Sequence, residues 1–322
     1  MIFLQYWERL KNKSQLVQLK PMNDLLATAP FEDVREYLQQ IHQKISSASM
    51  VYLIAPSDLE GVLALSNLEA SCVDSGIRYS RRLTKSKQHI PHGEKDEYEI
   101  KNDGLTILIE PFEETWNFSE IKNDDFIRIV PLSVSIRLGN SKSKRTGALD
   151  VVSQCSAIAA MISPNGSRVR RLRPFAVGGQ WLRDSLDNTF DPIHSSIRDV
   201  LRDEGSVSVV CLPEVSVTSD GMIPNLSKTM LRRLKKRWDT MDYESRTQAI
   251  GELILPTLVD NSISTPRLEE LFWHRLVVGG QEMDIYSQIN EAKNQWPIDE
   301  NQTKSHSSIV LKSLISKGTL VD

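Results

Sequence analysis

The amino-acid sequence predicts an α/β fold in which a mostly parallel sheet is flanked by helices and followed by a C-terminal helical region. Short apolar runs typical of strands alternate with helical patterns up to about residue 215, which indicates a layered domain with a parallel sheet. Beyond residue 216, strand-like runs become rare and helical patterns dominate. We therefore predict an N-terminal extension (1–29), an α/β domain (30–215) and a mainly helical region (216–322).

The elements of the α/β domain are predicted from local patterns. Apolar residues from Phe31 to Ile45 recur at steps of three and four, which predicts an amphipathic helix over 30–47. The continuous apolar run 50–55 is typical of a buried parallel strand, and the helical pattern after it ends near Gly76. The same reasoning predicts strands at 77–81, 105–109, 126–132 and 207–212, a polar loop at 84–103, and helices at 147–162, 174–186 and 191–203.

The region after residue 216 has three segments with helical periodicity: 226–258, 264–296 and 305–317. They contain little strand pattern. This change in pattern is the reason for placing a domain boundary near residue 216.

Composition and charge exclude several classes of protein. The chain of 322 residues carries 39 Lys and Arg against 42 Asp and Glu, so its net charge of −3 excludes a uniformly cationic nucleic-acid binder. Local basic clusters stay open. No apolar run approaches the roughly 20 residues that span a bilayer, and the opening residues lack a basic signal-peptide region, so we expect a cytoplasmic protein without a membrane partner. The widely separated Cys72, Cys155 and Cys211 are interpreted as small buried residues.

The turn after the first predicted strand carries two acidic residues, Asp58 and Glu60, directly before Gly61. In open α/β sheets, ligands collect at the carboxyl ends of strands, and paired carboxylates suit a divalent cation. The alternative is structural. Asp58 would cap the following helix, and Glu60 would lie in its first turn, where the helix dipole favours negative charge.

The segment from Asp58 to Tyr79 resembles the opening unit of the DHH phosphoesterases, in particular the archaeal RecJ-like nucleases. The first motif of that family reads His-x-Asp-x-Asp-Gly and is followed by a helix, a glycine and a second strand. Further stretches resemble later helices of the family in the same order, namely 147–162, 172–182, 204–209 and 238–246. The resemblance covers most of residues 48–296 and implies a DHH-type domain.

The resemblance also implies that the metal site of the family is degenerate. Several of its catalytic positions carry other residues here: Pro56 for the histidine, Glu60 and Glu110 for aspartates, Pro131-Leu132-Ser133 for Asp-His-His, and Gln180 for a late aspartate. Two-metal phosphodiester hydrolysis needs several carboxylates and imidazoles to hold both ions. We therefore treat Asp58, Glu60 and Glu110 as vestigial positions, expect neither a catalytic residue nor a cofactor, and leave a vestigial Mn or Mg site open.

An inactive branch of the same family acts in DNA replication and includes the cell division control protein 45 subunit of the CMG replicative helicase. The family's second, substrate-closing domain is not recognisable here, which also favours an inactive member. The resemblance thus implies a nucleoid-associated scaffold that binds the GINS complex, with the MCM helicase and single-stranded DNA as further partners. Two alternatives stay open. One is a divergent phosphoesterase that uses Asp58, Glu60 and Glu110 on a single ion, and the other is a non-enzymatic nucleic-acid-binding module.

Two basic clusters are candidates for binding nucleic acid or a protein partner. The first comprises Arg168, Arg170, Arg171 and Arg173, and the second comprises Arg232, Arg233, Lys235, Lys236 and Arg237. Such clusters can track a phosphate backbone with salt-sensitive affinity. The first is dense enough to repel itself, so we expect it to meet an acidic partner, which could be a protein surface instead of DNA. The structural alternative for both is a solvated surface.

Overall fold

A parallel sheet of four strands forms the centre of the α/β region. The computed structural model describes residues 24–86, 103–112, 125–138, 143–183, 190–259 and 263–321. The strands of the sheet, in the spatial order β2-β1-β3-β4, are β1 (Val51–Pro56), β2 (Tyr79–Thr84), β3 (Leu105–Ile109) and β4 (Phe126–Ile129). Val51 lies opposite both Tyr79 and Leu105, so β1 is central. The predicted α/β class with a parallel sheet flanked by helices is confirmed.

The strands lie close to their predicted positions. β1 and β3 have the buried side chains that a strand covered on both faces requires. β2 begins two residues after the start of the strand predicted at 77–81. Most of the predicted loop and of the N-terminal extension, residues 87–102 and 1–23, lie outside the described residues.

A β-hairpin follows the sheet and was not predicted. β5 (Leu132–Leu138) pairs antiparallel with β6 (Ser143–Leu149), whereas the sequence analysis placed one strand at 126–132 and a helix from residue 147. Pro131 lacks an N–H and separates β4 from β5. Leu132, Val134 and Ile136, at alternate positions of β5, are buried, which is the two-residue period expected of a strand.

Six helices accompany the sheet in the described part of the α/β region. They are α1 (Arg35–Ser47), α2 (Leu59–Ser75), α3 (Val151–Ile162), α4 (Ser167–Leu172), α5 (Gly178–Leu182) and α6 (Pro192–Glu204). α2 and α3 pack against each other, and α2 is buried through most of its length. α2 ends at Gly76, whose φ of +69° is the left-handed conformation that favours glycine. α4 was not predicted, because its arginines hide its short apolar pattern.

The C-terminal region is helical, as expected, with one short strand. Its helices are α7 (Lys228–Arg237), α8 (Tyr243–Leu258), α9 (Thr265–Trp273), α10 (Ile285–Asn294) and α11 (Glu300–Lys317). The strand β8 (Arg275–Val277) pairs antiparallel with β7 (Ser208–Val210). β7, which the sequence analysis placed at 207–212, therefore belongs to a separate two-stranded sheet.

Packing crosses the predicted boundary at residue 216. The β7–β8 pair joins the two sides, and α11 packs against α2 and α4. One cluster of buried apolar side chains contains residues from both regions, from Leu25 to Leu320. No helix among the described residues is long and apolar enough to cross a membrane.

Candidate functional site

Two buried aspartates, Asp58 and Asp150, are the N-cap residues of α2 and α3. The Asp58 Oδ1 atom accepts a hydrogen bond from the Gly61 amide at 2.8 Å, which caps α2. The Asp150 Oδ1 atom accepts from the Ser153 amide at 2.9 Å, which caps α3, and its Oδ2 atom accepts from the Ser153 hydroxyl at 2.6 Å. Because helix N-termini stabilise carboxylates, both positions are structural caps. The capping interpretation of Asp58 is confirmed.

Glu60 lies in the first turn of α2, and Arg183 contacts it from a distant part of the chain. The Arg183 Nη2 atom donates to Glu60 Oε1 and to the carbonyl oxygen of Pro111, both at 2.8 Å. Burial raises the pKa of Glu60 to about 8, and the contact with Arg183 only partly opposes this rise. Burial also raises the pKa of Asp150, which lies near the same guanidinium. Arg183 thus supplies the positive charge that this buried acidic group needs.

Glu110 follows β3 and is held by a different arginine. The Arg128 Nε atom donates to Glu110 Oε2 at 2.6 Å. As placed, the three predicted vestigial carboxylates do not fit a divalent cation, because Asp58 caps α2 while Glu60 and Glu110 each face an arginine. No group of three or more His, Cys, Asp or Glu residues within the described ranges is arranged to hold a metal ion. No reaction step is assigned to a metal here.

Of the other positions at which the DHH resemblance implies catalytic residues, four are packed into the fold and Ser133 is exposed. Pro56 ends β1, and Pro131 and Leu132 are buried where β5 begins. Gln180 is fully buried in α5, and its side-chain amide donates to the carbonyl oxygen of Ala148. Among these packed positions, a Cβ atom at the neighbouring Gly179 would overlap with the Asp150 carboxylate, so α5 can approach α3 only with glycine there.

The sequence analysis missed Asp150 and Arg183. Asp150 directly precedes a helical apolar run, which is a helix-start signal, but the predicted helix begins four residues too early. Arg183 carries no local signal. It lies 123 residues from Glu60 along the chain, and only the fold brings the two together.

The first basic cluster finds its partners inside the chain. The Arg168 Nη1 atom donates to Asp74 Oδ1 at 2.8 Å, and Arg173 is buried in an ion pair with Glu204, with Nε–Oε1 at 2.9 Å. Arg171 donates to backbone carbonyl oxygens at the end of α11, and Arg170 donates to the Asn165 side chain. The expected acidic partner is therefore intramolecular. This corrects the binding role predicted for Arg173, whose side chain has no exposed surface.

The second basic cluster faces solvent along α7. Leu231 and Trp238 are buried and anchor the helix. Four cations on its other faces are exposed: Arg232, Arg233, Lys236 and Arg237. Within the described part of the chain, none of these four side chains has a hydrogen bond or ion pair. Lys235 differs, because its Nζ atom donates to the carbonyl oxygens of Val215 at 2.6 Å and Ser216 at 3.1 Å. We refer to the four exposed cations as the α7 basic face.

Large apolar side chains are exposed on the neighbouring helix α8. Tyr243 at its start is 81% exposed, and Leu255, Leu258 and Val259 at its end are 61%, 49% and 82% exposed. Clustered apolar surface of this kind is unusual unless it meets a partner. We refer to Leu255, Leu258 and Val259 as the α8 apolar end.

A buried polar network joins the two regions and contains no exposed reactive group. The His194 Nε2 atom lies 3.1 Å from the Tyr286 hydroxyl, and the Tyr286 ring stacks on Trp181 with centroids 3.8 Å apart. Burial lowers the pKa of His194 to about 4, so its imidazole is neutral at pH 7. Glu270 pairs with Arg198 beside it. The network ties α5 and α6 to α9 and α10, and His194 is a packed residue within it.

No protein-family model matches the chain, and no curated protein is significantly similar to it. The structure pairs the acids at the sheet with arginines and leaves four cations of α7 and three apolar side chains at the end of α8 exposed.

Proposed function

We propose that this chain is a catalytically inactive, RecJ-like member of the DHH superfamily that acts as a scaffold in DNA replication and binds the GINS complex. The proposal is supported by the contrast between the two charged regions. At the sheet, Glu60 and Glu110 each face an internal arginine. On α7, four cations face solvent and have no partner among the described residues. The positive charges that can contact a partner therefore lie on the surface of α7 and not at the end of the sheet.

The α7 basic face and the α8 apolar end together suit a protein partner with acidic and apolar surface. Complementary charge steers association and selects the partner, while apolar side chains that become buried on binding supply affinity. α7 and α8 are consecutive helices in contact with each other. In the proposed complex, GINS contacts this part of the helical region, and the MCM helicase joins the same assembly.

Isothermal titration calorimetry with GINS from the same source tests this surface. We expect Arg232→Glu combined with Arg233→Glu to weaken binding at least tenfold, because two attractive charges become repulsive. The matched control, Lys144→Glu combined with Arg145→Glu, changes two exposed cations of β6 by the same charge and should leave binding within twofold. Equal losses in both variants would contradict a contact through α7.

The α7 basic face also favours a second candidate function, the binding of single-stranded DNA. Cations that neutralise phosphates give an affinity that falls steeply with salt. Fluorescence anisotropy with a labelled oligonucleotide should then show weaker binding at higher salt and a further loss in the Arg232→Glu, Arg233→Glu variant. Affinity that is unchanged in this variant would exclude DNA binding through α7.

A further inference from the structure

A small cavity opens beside the first turns of α7 and has an unusual charge. Its volume is about 230 Å³. Four cations line it, Lys228, Arg232, Lys235 and Arg275, against one carboxylate, Asp220. In a chain whose net charge is −3, this is a strong local excess of positive charge.

Arg275 is fixed in the wall of the cavity. It is fully buried, and its Nη2 atom donates to Asp284 Oδ2 at 2.5 Å and to the Ser287 hydroxyl at 2.6 Å. Lys235 is held on another side by the carbonyl oxygens of Val215 and Ser216. Burial, together with the charge of Arg275, lowers the pKa of Lys235. Asp284 compensates the charge of Arg275, whereas Lys235 has only carbonyl oxygens as hydrogen-bond acceptors.

The rim of the cavity already holds a carboxylate. The Lys228 Nζ atom lies 2.6 Å from Asp220 Oδ1, and both side chains are mostly exposed. Arg232, one turn further along α7, is exposed and has no partner in the described ranges. Asp220 thus neutralises Lys228 at the rim, whereas Arg232 is available to a ligand.

The rest of the lining combines Thr218, Ser219 and Gly221 with an aliphatic wall of Met222, Ile223, Leu226 and Leu231. A discrete cavity with aliphatic walls suits the stem and the carboxylate of a single side chain. A phosphate backbone instead requires an extended cationic groove with stacking platforms. The combination of charge and aliphatic wall therefore favours a peptide over a nucleic acid.

We propose that this cavity is an anchor site for one glutamate or aspartate side chain of an acidic, apolar-flanked peptide segment in a partner protein. The inference rests on the proposed function and deepens it, because it names the chemistry that α7 recognises. In the complex, the carboxylate displaces Asp220 from Lys228 and pairs with Lys228 and Arg232, while the neighbouring apolar residues of the peptide pack on the aliphatic wall.

The test is a fluorescence anisotropy titration of the full chain with a labelled peptide of alternating glutamate and leucine. Lys228→Gln combined with Arg232→Gln should weaken binding about tenfold, because both charge-assisted contacts are lost. The matched control on β6, Lys144→Gln combined with Arg145→Gln, removes the same charge from two exposed cations outside the cavity and should change affinity less than twofold. Asp220→Asn should strengthen binding about twofold, since the competing surface carboxylate is gone.

Each result decides the proposal. Equal losses in the two double variants would show diffuse electrostatic attraction and overturn the site, as would an absence of peptide binding. Competition identifies the ligand class. If an oligonucleotide or inorganic phosphate displaces the labelled peptide at a lower concentration than the unlabelled peptide does, the cavity is a phosphate site instead. If the peptide binds as expected but GINS does not bind the wild-type chain, the cavity stands and the proposed function fails. If GINS binds and Lys228→Gln, Arg232→Gln has no effect on peptide or GINS, the cavity proposal alone fails.

Discussion

At the residue scale, the decisive feature is the pairing of one buried acid, Glu60, and one partly buried acid, Glu110, with arginines. Arg183 contacts Glu60, and Arg128 contacts Glu110, at two positions where the DHH resemblance implies metal ligands. A buried carboxylate needs a nearby positive charge or a proton. In this chain an arginine compensates part of the negative charge. The raised pKa of Glu60 indicates that a proton neutralises the remainder.

The pKa of Glu60 makes stability depend on pH. Because its pKa rises from 4.5 to about 8 on folding, the folded state holds the proton more tightly than the unfolded state. The stabilisation is fully present below pH 4.5 and is lost as the pH rises towards 8, with a slope of up to about 1.4 kcal/mol per pH unit. We expect Glu60→Gln to flatten this dependence in urea denaturation between pH 5 and pH 8. The exposed Glu252→Gln should keep the wild-type slope, and an unchanged slope in Glu60→Gln would contradict the assignment.

The buried ion pair of Arg173 predicts a large loss of stability on substitution. Arg173→Met leaves the Glu204 carboxylate buried without its guanidinium, and breaking a pair of this kind costs about 3–5 kcal/mol. Arg170→Met, in the same basic cluster but half-buried, should cost less than about 1 kcal/mol. Chemical denaturation measures both. Similar small losses in the two variants would mean that Arg173 is not part of the interior.

At the element scale, two glycines test how the helices pack. Gly179 in α5 leaves no room for a Cβ beside Asp150, whereas a Cβ at Gly251 in α8 meets nothing within 4 Å. We expect Gly179→Ala to destabilise the fold by about 1–3 kcal/mol. Gly251→Ala should stabilise it by about 0.5–1 kcal/mol, because alanine favours the helix. Thermal unfolding gives the sign of each change, and a tolerated Gly179→Ala would exclude the close approach of α5 to α3.

The same scale shows which elements a sequence can predict. β1, β3, α2 and α6 follow from apolar runs or periodicity within one segment, and α2 carries its own start and stop signals in Asp58 and Gly76. The β5–β6 hairpin was missed because β6 is mostly polar and exposed, so it shows no strand pattern. The β7–β8 pair joins short segments more than 60 residues apart, and no local pattern records that pairing.

The candidate site follows the same rule. The helix caps depend on neighbouring residues and can be predicted from the sequence. The exposed cations of α7 are interspersed with apolar residues at helical spacing, so this helix can be predicted too. The Glu60–Arg183 contact and the fate of Arg173 depend on long-range packing. Sequence reasoning therefore found the charged clusters but could not decide which one faces inwards.

At the scale of the whole molecule, one apolar core crosses the predicted boundary at residue 216. α11 packs on α2, and β8 pairs with β7, so either region alone would expose apolar surface and lose backbone hydrogen bonds. We expect the full chain to unfold in urea in a single cooperative transition. Far- and near-ultraviolet circular dichroism, measured in the same titration, should show that transition at the same urea concentration. The fragment 30–215 should lack a cooperative transition. Two separate transitions in the full chain would instead support two independent domains.

The proposed lack of catalysis also concerns the whole molecule, because two-metal hydrolysis needs all of its ligand positions at once. We expect no degradation of labelled single-stranded DNA by the purified chain with Mn²⁺ or Mg²⁺. Asp58→Ala should then behave as the wild type. Degradation that Asp58→Ala abolishes would establish the divergent phosphoesterase instead.

The most direct test of the scaffold is size-exclusion chromatography with light scattering on a mixture of the wild-type chain and GINS from the same source. The account predicts one peak whose mass is the sum of the two components at micromolar concentration. Two separate peaks with the masses of the free components would contradict it.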